Sequence, residues 1–131
     1  MLTLKCGTKL YHGTSLDFDP AGISAGSWFS TSQSVAEYFA KRFPLGDEEA
    51  YRLHEYELTE DVDLPDFYDR QSFEAYLEEQ GIEAFCSEEL VEGILSAGLP
   101  GWVIPNNYPD GDDIMLGTIS ALQFVRTTTL D

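Results

Sequence analysis

The apolar residues of this chain come in short clusters, and glycine or proline cuts between them. That punctuation limits the chain to short strands and short helices. Residues 8–12 read as a strand that Gly13 ends. Residues 16–26 hold two glycines, a proline and two aspartates, and read as a loop. Residues 27–30 form a second short strand, after which Thr31 or Ser32 can cap a helix. Val35, Ala36, Phe39, Ala40 and Phe43 recur at helical spacing, and Pro44 and Gly46 stop that helix. Residues 51–58 read as a strand and 61–66 as an acidic turn around Pro65. Two further helices follow, one over about 70–80 ended by Gly81, one around Leu90, Val91, Ile94 and Leu95 ended by Gly98. Short strands at 101–104, 114–116 and 122–127 close the chain. Strands around a helical insert define an α+β class, and 131 residues suit a single domain over 1–131.

Charge narrows the partners. Seven basic residues face 24 acidic ones, for a net charge of −17. Such a field repels phosphate backbones, so direct nucleic-acid binding is not expected. It would draw in a basic protein, could mimic nucleic acid on such a partner, and also serves solubility. No apolar run approaches the roughly 18 residues of a membrane span, and the N-terminus does not read as a secretory signal. The expected location is the cytoplasm of a producing or host bacterium. Cys6 and Cys86 match no metal-ligand spacing, so no metal is expected and both read as reduced thiols, Cys86 within the core.

Three groups can carry chemistry. His12 closes the first strand beside Gly13. A glycine admits a ligand close to the backbone, where its amide and carbonyl suit a small planar group such as a carboxamide. The histidine can donate to a sugar hydroxyl. The plain alternative is a turn histidine. Trp28, on a strand, and Tyr38, on the next helix, offer two aromatic faces for a flat heteroaromatic ring, or simply pack in the core. Asp113 follows Gly111-Asp112 and precedes Ile114-Met115-Leu116. At a strand start its carboxylate can accept from ribose hydroxyls and stabilise positive charge growing at an anomeric carbon; a solvated acidic turn is the alternative. His54 lies on a strand without an obvious partner and reads as structural or surface.

The order of these pieces is distinctive. Leu10-Tyr11-His12-Gly13-Thr14, then Trp28-Phe29-Ser30-Thr31-Ser32, then Tyr38-Phe39-Ala40 resembles the ADP-ribosyltransferase superfamily, in its histidine–tyrosine–glutamate class. Gly98 to Ile104 is similar to that family's Gly-x-x-Gly-x-x-Ile segment, and Gly111 to Leu116 to its Gly-Asp-Glu strand. The resemblance spans most of the chain. It implies a split pair of small sheets with NAD in the cleft. It assigns His12 to a ribose hydroxyl of NAD, Gly13 to the nicotinamide carboxamide, and Trp28 and Tyr38 to the nicotinamide ring. Thr14, Phe29 and Ser30 join the cofactor-binding set, and His12, Tyr38 and Asp113 the catalytic one. Asp113 stands where the family has glutamate, one methylene longer. A displacement of about an ångström can reduce a rate roughly 100-fold, so binding follows from the resemblance more directly than turnover. The implied activity is transfer of ADP-ribose from NAD to a macromolecule, a host protein, by a toxin or a phage-encoded effector such as a CRISPR inhibitor. The rival is an inactive acidic protein of the same fold that binds a basic or nucleic-acid-handling partner.

Overall fold

The computed structural model describes residues 2–14, 19–23, 27–42, 51–67, 70–82, 87–104 and 113–130. Its elements are β1 (Leu2–Leu4), β2 (Lys9–Thr14), a 3-10 turn (Pro20–Gly22), β3 (Trp28–Phe29), α1 (Gln33–Arg42), β4 (Tyr51–Leu58), β5 (Val62–Leu64), α2 (Arg70–Glu79), α3 (Ser87–Ala97), β6 (Gly101–Ile104), β7 (Asp113–Leu116) and β8 (Leu122–Leu130). The strands form two three-stranded sheets, β2-β4-β8 and β3-β7-β6, and a small β1-β5 pair. All these pairings are antiparallel. The mixed class read from the sequence holds, and α2 and α3 fall together between β5 and β6 as its helical insert.

The strands pack because their apolar residues alternate. Leu10, Tyr56 and Leu58 of the first sheet meet Phe29, Val103, Ile114 and Leu116 of the second in one cluster, closed below by Leu4 and Leu64. The other face of the second sheet presents Trp102 and Met115 to Phe73 and Leu77 of α2 and Leu90 and Ile94 of α3. Both helices end as their glycines require. Gly81 and Gly98 take φ values of +73° and +65°. Ile82 N–H then reaches back to the Leu77 carbonyl at 2.9 Å, and Leu99 N–H to that of Ile94 at 3.1 Å.

Ser32, rather than Thr31, caps α1: the Val35 N–H donates to its Oγ at 3.4 Å. The buried side of this helix, Val35, Ala36 and Ala40, lies on the first sheet. There Gly13 is indispensable for a steric reason. A Cβ built on it would lie 1.8 Å from the Ala36 carbonyl oxygen. Gly13 therefore does not end its strand, as the sequence suggested, but lies inside it, opposite Leu53. Residues 61–66, read as a turn, contain β5, whose three residues pair with Leu2–Leu4. The last strand runs three residues further than expected. Phe43, Pro44, Gly46, Cys86, Gly111 and Asp112 lie outside the described residues.

Candidate functional site

Among the described residues the two larger sheets are joined at one seam. Tyr11 N–H donates to the Ser30 carbonyl at 2.8 Å, and Ser30 N–H to that of Tyr11 at 3.0 Å. Strand geometry then fixes what lies beside them. Backbone groups of alternate residues point to the same edge. Tyr11 spends both of its groups on Ser30, so the N–H and C=O of Gly13 point to that same edge, just past the bridge.

His12 lies between these two residues and turns to the opposite face. Its Nδ1 lies 2.7 Å from the Trp28 carbonyl oxygen. A carbonyl can only accept, so Nδ1 carries the proton and Nε2 of the neutral ring is an acceptor. The donor role read from the sequence is thus reversed for neutral His12: a sugar hydroxyl would donate to it. Burial pushes its pKa below the usual value, against the opposing pull of the Trp28 carbonyl, and this favours the neutral form. The ring packs on Phe29, centroids 5.7 Å apart, and lies parallel to His54 at 6.4 Å.

The nominated residues divide as follows. Of the β3 aromatics, Phe29 supplies a ring to His12, whereas Trp28 supplies its carbonyl and packs its ring toward the α2–α3 cluster. Ser30 is buried, and its Oγ accepts from the Ser32 N–H at 3.0 Å, as part of the turn into α1. Thr14 is buried at the end of β2, opposite Arg52. Asp113 begins β7. Trp28 pairs with Met115 and Phe29 with Ile114, so the next step of that register sets Asp113 across from Ser30. Tyr11, Ser30 and Asp113 thus fall on one line across three strands. By alternation Asp113 shares a face with Trp28 and Met115, opposite to Phe29. Tyr38 is not brought to this group. It is 43% exposed on α1, which covers the face of β2 away from His12, and its ring meets Phe39 edge-on.

Sequence reasoning missed His54. It is buried directly opposite His12 in the β2–β4 register, with Nδ1 2.8 Å from Thr127 Oγ1. Desolvation first, then the charges of His12 and Arg52, hold its pKa down to about 4. The available signal was the length of residues 51–58, apolar on both faces, which marks a central strand with every side chain covered. A surface depression of about 410 Å³ lies elsewhere, between the end of α2 and α3, and includes none of the nominated residues. Among the described residues no cluster of histidine, cysteine, aspartate or glutamate has a metal-binding arrangement, and no helix is long and apolar enough to cross a membrane.

No family model matches this sequence, and no curated protein matches it. Among solved structures, the fold is similar to a chain of the M. tuberculosis MbcT–MbcA toxin–antitoxin complex. The two share 17% sequence identity with a TM-score of 0.58, over 98% of this chain and 86% of that one. The likeness is one of fold.

Proposed function

We propose that this chain is a toxin-like enzyme that uses NAD as a substrate and transfers its ADP-ribose to a protein. The observation that carries the reading is the seam itself, where His12, the outward-facing backbone of Gly13 and Phe29 adjoin the strand that bears Asp113. These are the positions at which the sequence resembles the ADP-ribosyltransferases. The likeness of fold to a chain of a toxin–antitoxin complex supports the toxin character, and it suggests a protein partner that restrains the activity.

The chemistry follows from the groups present. A carboxamide laid along the edge of β2 pairs its N–H and C=O with those of Gly13. Nε2 of neutral His12 accepts from a ribose hydroxyl. A substrate lying on the seam edge borders both faces, so Phe29 lies on one side and the Asp113 carboxylate on the other. The bond from the ribose anomeric carbon to nicotinamide breaks, and its electron pair leaves with the nicotinamide, which departs neutral. Asp113 stabilises the positive charge that remains on the ribose. A nucleophile of the target attacks that carbon and gives up a proton.

Nicotinamide release and transfer of label from NAD to lysate protein test the proposal. His12→Ala and Asp113→Ala should each reduce the rate by about 100-fold or more while each variant remains folded by circular dichroism at the assay temperature. Absence of both nicotinamide release and NAD binding by calorimetry overturns it. The net charge of −17 favours a second reading, a non-catalytic binder of a basic partner. Its mark is partner binding that weakens steeply with salt and is unchanged in His12→Ala.

A further inference from the structure

His12 is held from two sides, and only one of them is the β3 carbonyl. On the other lies His54, its ring parallel to that of His12 within 7°. His54 is in turn gripped by the strand beyond it. Thr127 Oγ1 of β8 lies 2.8 Å from its Nδ1, and the Phe124 ring meets it at 74°. A continuous line of contacts therefore runs from Thr127 through His54 and His12 to the Trp28 carbonyl, across β8, β4, β2 and β3. We propose that His54, locked by the Thr127 hydroxyl, is a positioning residue that sets the ring plane of His12 and so keeps its Nδ1–H on the Trp28 carbonyl. This inference rests on the role given to His12 in the proposed function.

The physical basis is that an imidazole has one soft torsion about its ring axis, with two broad minima. The hydrogen bond to Thr127 selects one orientation of His54. The flat face so presented is what His12 lies against. Without the hydroxyl, a buried ring nitrogen loses its partner, and nothing in that bond then distinguishes one ring orientation from the other. His12 then loses its flat support on the side away from Phe29. The charged and titratable groups sharing this face are His12 on β2 and Arg52 and Tyr56 on β4. From β8 the same face receives Thr127 and Thr129, and from β3 the Phe29 ring. Burial first, then the positive charges of His12 and Arg52, oppose protonation of His54, which is therefore a neutral partner at pH 7.

Thr127→Val tests this with little risk to folding, because Thr127 is exposed on an edge strand and the substitution retains its shape. Two readouts are needed: the ring nitrogen shifts of His12 by NMR, and kcat and KM for nicotinamide release across pH. In Thr127→Val the Nδ1–H fraction of His12 should fall. The kcat should drop by about fivefold, the worth of one neutral hydrogen bond, with KM unchanged and the acid limb of the pH profile displaced. Thr127→Ser should restore both. His54→Phe, which keeps a flat ring and removes both nitrogens, should behave like Thr127→Val. Unchanged His12 shifts and unchanged kcat in Thr127→Val, or failure of Thr127→Ser to restore them, overturn the inference. Should His12→Ala release nicotinamide at the wild-type rate, the functional reading fails by itself. The His12 shifts then still decide whether His54 positions that ring.

Discussion

The two three-stranded sheets bury different kinds of side chain. In β3-β7-β6 the buried residues are Phe29, Trp102, Val103, Ile114, Met115 and Leu116, apolar on both faces. In β2-β4-β8 the central strand buries His54 and Glu55 alongside Leu53 and Tyr56. The cause is the covering layers. The second sheet lies between the first sheet and the α2–α3 pair, so both faces of its strands are largely covered, with Trp28 and Asp113 half-buried at one end. The first sheet is covered by the second on one face and by α1 over part of the other. The buried carboxylate there is paired: Glu55 lies 3.3 Å from Arg126 and 3.7 Å from Lys9. The comparison teaches a division of labour. The second sheet gives stability and a carbonyl, and the first holds the paired histidines and tunes their titration by burial.

That division can be broken by measurement. Trp102→Ala should cost most, about 3–5 kcal/mol by urea unfolding, because it empties the helix-facing cluster. A small loss there would mean that the second sheet is not the stabilising layer. Gly13→Ala comes next, at about 1–3 kcal/mol, as its new methyl meets the Ala36 carbonyl. Gly22→Ala, with nothing within 4 Å of its Cβ, is the control that should be near neutral. The histidines contribute a pH dependence. His54 titrates near 4 in the folded chain and near 6.5 when unfolded, so unfolding takes up a proton between these values. Stability from this group is complete above about pH 6.5 and falls as pH drops toward 4, by at most about 1.4 kcal/mol per unit. Wild type should therefore lose stability more steeply over that window than His54→Phe. Equal slopes would remove the tuning role of the first sheet. Arg126→Ala should be smallest, about 0.5 kcal/mol, and the difference should shrink in high salt, since its side chain is 69% exposed.

The sequence made the long elements legible and the seam only in part. The spacing of Phe73, Tyr76 and Leu77 marks α2, and the run Ile114-Met115-Leu116 marks a strand covered on both faces. β1 and β5 escaped because three residues are too few to show a period, and they exist only through each other. Gly13 was correctly singled out, but the close approach it permits includes that of α1 on its Cα. The pairing of His12 with His54 is a matter of register between strands roughly forty positions apart in the chain, and nothing local to either histidine records it. Trp28 and Phe29 are adjacent and of similar chemistry, so which ring meets His12 depends on strand alternation set by Tyr11 and Ser30. The proton on Nδ1 likewise follows from a carbonyl, which has no side-chain signature.

The bridge between Tyr11 and Ser30 and the acceptor for His12 on Trp28 have one property in common: every atom they use on β3 belongs to the main chain. Substitutions along β3 and at Ser30 just after it can therefore accumulate without releasing the histidine, provided that none introduces proline at Ser30, where an amide proton is needed. The seam can thus stay closed while the letters along it change, because what closes it is common to almost all amino acids.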